Sequence, residues 1–362
     1  MKVAIVCDWI DEIGGAERVI HALHKMYPHA PIFTSTCNEV AKKTWLKNAD
    51  VHTAWFQKLP TKIRKRQLLT LPRQWYFGHL KLKDYDVVIS AGSAEAKATQ
   101  VVNGTHIHLC YTPTLYYWVR PENYLKKGAD GVNALWRIGL KLLLPIVKKW
   151  DLKASKVPDV MYAISSDVQA RIKRYYNRDS ELLFPPVDIK RFAHDGKAKR
   201  EGFVIAGRQA THKKIDLAIQ ACNETKKKLV VIGNGPEHDR LVRMAGPTIE
   251  FKTTVSDQDM VYYFSRAEAF IFPNQEDFGI VAVEAQAAGT PVIAYRAGGS
   301  LDTVVEGVTG EFFDKASVAS LAEVLANFNY KLYNKVAIQD NAASFSEEMF
   351  ARHIVEAMEA YS

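Results

Sequence analysis

The sequence predicts an α/β protein of two halves, each a parallel β-sheet flanked by helices. Three observations carry that reading. Short apolar runs, among them Val3–Cys7, Asp86–Ser90, Phe203–Ala206 and Ala269–Phe272, alternate along the chain with stretches of helical spacing, the pattern of repeated β-α-β units. A length of 362 residues points to two domains. Between the halves, Leu182-Leu183-Phe184-Pro185-Pro186-Val187-Asp188 reads as a linker stiffened by its prolines. The expected domains are 1–184 and 185–345.

In the first half, strand Val3–Cys7 leads through Asp8 to Gly14-Gly15-Ala16-Glu17, which opens a helix carrying Val19, Ile20, Leu23 and Met26. A Gly-Gly loop here brings backbone close to a ligand or makes a tight turn. It is not G-x-G-x-x-G, so no dinucleotide fingerprint is present. Ala30–Thr34 and Val51–Trp55 read as further strands. From Lys58 to Lys83 come Lys58, Lys62, Arg64, Lys65, Arg66, Arg73, Lys81 and Lys83, with Trp75, Tyr76 and Phe77 interleaved. That mixture suits a membrane-surface helix or a solvated basic face. No RNA-binding motif accompanies it, and a nucleic-acid partner is not expected. After Asp86–Ser90, strand His106–Tyr111 places His106 and His108 on one face. Gly131–Lys156 is a second apolar and basic stretch, which Pro145 is expected to break or kink. Strand Val160–Ile164 is followed by Ser165-Ser166, an N-cap for a helix over Asp167–Tyr176.

In the second half, Phe203–Ala206 ends in Gly207-Arg208, with Lys213 five residues on. An Arg fork and a Lys point charge at a strand end suit a diphosphate. Leu229–Ile232 leads to Gly233-Asn234-Gly235-Pro236, and Ile249–Phe251 to Ser256 with Asp259 three residues later, a capping-box-like start. Ala269–Phe272 ends at Pro273 before a polar loop with Glu276. A small-residue helix is expected from Phe278 to Ala288, stopped by Gly289, with Glu284 inside it. Ligands in such folds sit at the carboxyl ends of the strands. The helix start, near Phe278, Gly279 and Ile280, offers backbone N–H groups that favour an anion. A fully helical path from Glu276 to Glu284 would rise roughly 12 Å, about the reach from a sugar to the ribose of a nucleotide sugar. Strand Pro291–Ala294, the Gly298-Gly299 turn, a short strand pair over Val308–Phe313 and helices over Val318–Leu325 and Glu347–Tyr361 complete the chain.

Composition narrows the partners. The net charge of +8 suits an anionic ligand or surface. No run of apolar residues is long enough to span a membrane, and the first residues read as a strand rather than a signal peptide. Cys7, Cys37, Cys110 and Cys222 are far apart without C-x-x-C, as for free thiols in a reducing cytoplasm. No metal-binding Asp-x-Asp follows a strand, since Asp84-Tyr85-Asp86 precedes one.

The residues Pro273, Glu276, Phe278, Gly279, Glu284, Ala285, Ala287, Gly289, Pro291 and Val292 resemble the signature of the retaining glycosyltransferases of family 4. The resemblance implies a GT-B fold, two Rossmann-like β/α/β domains facing a central cleft. It implies an N-terminal acceptor-binding domain, a C-terminal nucleotide-sugar domain, and a C-terminal helix 346–362 that packs back on the first. It places Arg208 and Lys213 on the donor diphosphate, Glu276 on the donor sugar and Glu284 on the ribose. Gly14, Gly15, Gly207, Gly233, Gly235, Phe278, Gly279 and Ile280 join the donor side, and Glu17 and Tyr111 the acceptor side. Tyr111 stands where the family has a histidine, Leu115 where it has an arginine, and Lys214 where it usually has a glycine. The variant Glu276-Asp277-Phe278-Gly279-Ile280 looks like the subgroup that uses GDP-mannose in O-antigen and capsule assembly. It implies a lipid-linked saccharide acceptor, a peripheral place on the inner, anionic membrane surface, and no cofactor or metal. Two alternatives stand beside it: a transferase using a UDP-sugar or a small soluble acceptor, and a non-catalytic nucleotide-sugar or polyanion-binding protein.

Overall fold

The computed structural model describes residues 1–11, 14–60, 69–119, 121–122, 134–193 and 199–361. The chain divides into two compact units, Met1–Phe184 with Ala351–Ser362, and Pro185–Phe350.

The first unit is built on β1 (Val3–Cys7), β2 (Ile32–Thr34), β3 (Val51–Thr53), β4 (Lys81–Leu82), β5 (Val87–Gly92), β6 (Gln100–Val101), β7 (Thr105–Cys110), β8 (Val160–Ala163) and β9 (Glu181–Leu182). Seven of these form a parallel sheet in the order β3-β2-β1-β5-β7-β8-β9, while β4 pairs with β6. The central strands β1 and β5 are buried along their whole length, as expected of a sheet covered on both faces. From β1 the chain moves out to β2 and β3 on one side, then returns across the sheet to β5 on the other. The crevice between the carboxyl ends of β1 and β5 is therefore the topological switch point.

The second unit repeats the plan with β10 (Phe203–Ala206), β11 (Leu229–Ile232), β12 (Ile249–Lys252), β13 (Ala269–Phe272), β14 (Val292–Tyr295) and β15 (Gly310–Phe313). The parallel order is β12-β11-β10-β13-β14-β15, and its switch point lies between β10 and β13. Helices Ile215–Thr225 and Val318–Asn327 bury Ile219, Cys222, Leu321 and Leu325 against one face of the sheet.

Several local signals act as the sequence implies. Ser165 accepts the N–H of Val168 at 3.2 Å, and Ser256 and Asp259 form a reciprocal capping box. Gly289, at φ 75°, ends the helix Ile280–Ala287, with its N–H on the Gln286 carbonyl and that of Thr290 on Ala285. All four cysteines are free and buried.

Other expectations are corrected. Pro145 does not break the helix Ala134–Ala154, which runs through it; its ring lies on an exposed side. The pair expected over Val308–Phe313 is the single strand β15. Of the basic segment, Lys62, Arg64, Lys65 and Arg66 lie outside the described residues, as do Gly131 and the side chain of Trp136 in the second stretch. Arg73 is no surface cation. It is buried, donates to Glu95 at 2.9 Å and lies over the Trp9 ring.

Candidate functional site

In the second unit the sequence-selected residues gather around the β10/β13 switch point. Gly207 leaves β10 at φ 148°. The chain then passes Arg208 and enters a single 3-10 turn, Thr211–Lys213. From the other side β13 ends at Phe272, and Pro273 and Asn274 lead to Glu276. The Lys213 ammonium and the Glu276 carboxylate form an ion pair across the crevice. Asn274 donates its side-chain amide to the same Glu276 oxygen at 2.9 Å. Both charged side chains are about one-quarter exposed, so water reaches the pair and a ligand can too. Arg208 is exposed and makes no ion pair among the described residues.

Lys214 follows at φ 53°, where a side chain is strained and glycine is not. It ends the 3-10 turn and starts the helix Ile215–Thr225. Lys213 thus reaches Glu276 through a turn that a left-handed residue closes.

The glycines divide into two kinds. A Cβ on Gly233 would stand 2.2 Å from the Gly207 carbonyl oxygen, and one on Gly235 would stand 2.4 Å from that of Gln209. Both therefore let the β11 turn lie against the loop that carries Arg208, a packing reason for glycine that needs no ligand. Gln209, missed in the sequence, fastens the same contact. It is fully buried. Its amide donates to the Gly233 carbonyl at 2.6 Å, and its oxygen is 2.8 Å from His238 Nδ1. The Gly298-Gly299 turn clamps the acidic loop. The Gly299 N–H bonds to the Glu276 carbonyl at 2.9 Å, and a Cβ on Gly299 would meet Phe278 Cα at 2.3 Å.

The helix after Glu276 starts later than its composition suggests. Gly279 is left-handed at φ 95° and caps Ile280–Ala287. A 12 Å helical rise from Glu276 to Glu284 is therefore corrected, because only the four steps from Ile280 are helical, roughly 6 Å. The Ala282 N–H bonds to the Gly279 carbonyl at 2.9 Å, while the N–H groups before it in the first turn lack intrahelical partners by construction and lie one short loop from Glu276. Phe278 can offer a ligand only its backbone, since its ring is buried against Phe345. Glu284 is 3% exposed, a buried carboxylate in a helix whose other buried polar side chain is Gln286.

The first unit has its own cluster at the β1/β5 switch point. Asp8, also missed in the sequence, is buried and accepts the N–H groups of Ser93, Ala94 and Ala96 at 2.8, 2.8 and 2.7 Å. A small hollow here is lined by Asp8, Glu17, Ser93 and Tyr111. Gly14 and Gly15 begin the helix Gly15–Met26 beside it. The Glu17 carboxylate accepts the Gly14 N–H at 3.2 Å, and so caps its own helix. The Tyr111 hydroxyl donates to the Ala16 carbonyl at 3.1 Å. Burial raises this phenol well above its usual range, with nearby Cys7, Glu17 and Asp8 adding to the effect, so Tyr111 is a neutral donor. On the same sheet, Ser90 Oγ sits between His106 Nε2 at 2.7 Å and His108 Nδ1 at 2.8 Å. Burial, then Arg178, holds His106 down at about 3; burial, then Lys97, holds His108 well below its usual value. Both are neutral internal residues.

Residues 187–335 match the family Glycosyl transferases group 1. Among curated relatives, the GDP-mannose-dependent alpha-(1-6)-phosphatidylinositol monomannoside mannosyltransferase of Mycolicibacterium smegmatis is 27% identical over 216 residues, 51% of this chain and 56% of that protein. The D-inositol 3-phosphate glycosyltransferase of Streptomyces scabiei is 28% identical over 207 residues, 48% and 46% of the two chains. The chain thus spans about half the length of the curated relatives it matches. Among solved structures, Alr3699/HepE of Anabaena in complex with UDP superposes with a TM-score of 0.71 over 99% of this chain and 100% of that one, at 15% identity. Sucrose-phosphate synthase from Thermosynechococcus elongatus does so at 0.71 over 99% of both, at 17% identity. The chain therefore has the GT-B fold, and its residues 187–335 are similar to the glycosyl transferases group 1 family.

Proposed function

We propose that this protein is a retaining hexosyltransferase that moves mannose from GDP-mannose to a lipid-linked or polysaccharide acceptor. The observation that carries the reading is the group at the β10/β13 switch point: exposed Arg208, and Lys213 paired with Glu276. The donor diphosphate lies against Arg208, Lys213 and the N–H groups at Gly279–Ile280, and the ribose against Glu284. Gly207, Gly233 and Gly235 shape the loops around it. Glu276 holds a sugar hydroxyl and keeps Lys213 aimed at the phosphate. Glu17 and Tyr111 stand on the acceptor side. The choice of mannose and of GDP is supported by the names of curated relatives that are GDP-mannose-dependent mannosyltransferases.

In the reaction the bond between the sugar C1 and the diphosphate oxygen breaks, and its electron pair leaves with the diphosphate. The acceptor hydroxyl oxygen forms the new bond to C1 on the same face, and its proton passes to the departing phosphate oxygen. Negative charge grows on that oxygen, so fixed cations beside it lower the barrier. Arg208 and Lys213 supply that charge, and the reading calls for no metal or other cofactor.

The test is transfer from radiolabelled GDP-mannose to lipid-linked saccharides, with the anomer of the product determined. An α-linked product from the α-linked donor supports the reading, and a β-linked product overturns retention. A UDP-sugar donor is the second reading. It is favoured by the solved likenesses, which hold UDP or UDP-glucose, and transfer from UDP-glucose alone would select it.

A further inference from the structure

The helix Ala134–Ala154 is apolar on two faces. Its inner face packs into the first unit: Val147 is buried with Tyr117, and buried Asp151 accepts Lys97 at 2.7 Å, Trp118 Nε1 at 2.7 Å and the Tyr176 hydroxyl at 2.8 Å. The outer face carries Ile138, Leu142, Ile146 and Trp150, with Leu143 beside them, all exposed. Residues four apart turn only about 40° from one another, so these form one stripe. Leu142 is 73% exposed. A surface helix ordinarily presents polar residues on that side, and a contiguous exposed apolar stripe marks a place where something binds.

The charges around the stripe say what binds. Lys141, Lys149 and Lys153 are exposed along it. The sole acid between residues 134 and 154 is Asp151, and it is buried in its own ion pair. The outer surface of the helix therefore offers apolar and cationic groups only. A second copy of the same face would set lysines against lysines. Among the described residues no helix is long and apolar enough to cross a membrane, which leaves an in-plane arrangement.

We propose that this face docks on an anionic phospholipid bilayer, with Leu142, Ile146 and Trp150 entering the interface and Lys141, Lys149 and Lys153 extending to the headgroups. The geometry stands apart from the donor reading; it rests on that reading only in placing the protein where a lipid-linked acceptor is found.

The experiment is co-sedimentation of the full chain with vesicles of phosphatidylcholine alone and of phosphatidylcholine with phosphatidylglycerol. Binding is expected only with phosphatidylglycerol, and it should weaken as salt rises. Leu142→Ser with Ile146→Ser should weaken it at least ~10-fold by removing buried apolar surface. Changing Lys141, Lys149 and Lys153 to Gln should cost about a factor of five per residue. All five positions are exposed, so both variants should keep the wild-type melting temperature and any GDP-induced shift, which separates this proposal from the donor reading. No binding to the anionic vesicles overturns the proposal. So does equal binding by the double serine variant. So does a wild-type dimer that Leu142→Ser turns into a monomer with vesicle binding unchanged, since the stripe would then cover a second copy.

Discussion

Lys213 and Glu276, 63 positions apart in the chain, meet across the switch point between β10 and β13. Two short segments bring them there, the 3-10 turn Thr211–Lys213 and the loop after Phe272. Each partner fixes the other near the diphosphate position proposed above. Because both are about one-quarter exposed, the pair itself adds little to stability, about 1 kcal/mol or less. Removing Glu276 should therefore act on function far more than on folding. Glu276→Gln keeps the Asn274 side chain a partner while removing the charge that holds Lys213. Turnover is expected to fall by about 100-fold or more, on the scale of a lost transition-state contact, with the melting temperature nearly unchanged. A large stability loss with normal turnover would make the pair structural.

Arg208 is exposed and has no ion-pair partner among the described residues, so the fold does not depend on its charge. Arg208→Ala should leave the unfolding transition within about 0.5 kcal/mol of wild type, the usual range for a surface change. Transfer should drop by roughly 100- to 1,000-fold. Arg208→Lys should recover only part of it, because an ammonium does not reproduce the planar fork. Kinetics on the pair of variants check this, and wild-type turnover in Arg208→Ala would remove the diphosphate assignment.

Lys214 holds a left-handed backbone at φ 53° and is exposed. Lys214→Gly relieves about 1–2 kcal/mol of strain, offset by the roughly 0.5–1 kcal/mol that glycine loses in backbone freedom on folding. The net expected effect is a gain of about 0.5–1 kcal/mol, read by urea unfolding. A loss of stability would mean that the Lys214 side chain contributes more than its conformation costs.

Buried His106 makes the first unit sensitive to acid. Its folded value, about 3, lies below the unfolded value near 6.5, so the unfolded chain binds the extra proton first. Stability is thus full above about pH 6.5 and is lost as pH falls from there toward 3. At pH 5 the loss from His106 alone is about 2 kcal/mol, and His108 adds to it in the same direction. Urea unfolding at pH 7 and pH 5 measures the difference. His106→Asn should flatten that slope, and an unchanged slope would place the acid sensitivity elsewhere.

The parts of the fold legible in the sequence depend on nearest neighbours. Strands such as Phe203–Ala206 and Ala269–Phe272 declare themselves as short apolar runs. Ser165, the Ser256–Asp259 box and Gly289 act within one helical turn of where they stand. What stayed hidden depends on strand order and on distant backbone. Asp8 meets Ser93, Ala94 and Ala96 only because β1 and β5 are neighbours in the sheet, and no spacing in the chain encodes that. Gln209 and Asn274 look like ordinary polar loop residues until the turns they brace are in place. Gly233 and Gly235 resemble ligand-facing glycines because a close approach of backbone to backbone demands the same residue as a close approach of backbone to ligand. Arg73 looks like one more cation in a basic run, yet Glu95, 22 residues away, takes it into the interior. Pro145 misleads because its ring lies on the exposed side of a helix whose inner face holds the segment together.

The most direct measurement is the thermal stability of the wild-type chain and of Arg208→Ala with GDP, UDP and ADP. At 100 times its dissociation constant a bound nucleotide stabilises by about 2.7 kcal/mol, a shift of several degrees. The account predicts a shift with GDP that is larger than with UDP or ADP, and an affinity at least ~10-fold weaker in Arg208→Ala, the worth of one charged contact to phosphate. No shift with any of the three nucleotides, or the same shift in wild type and Arg208→Ala, would contradict a nucleotide-diphosphate site at the β10/β13 switch point.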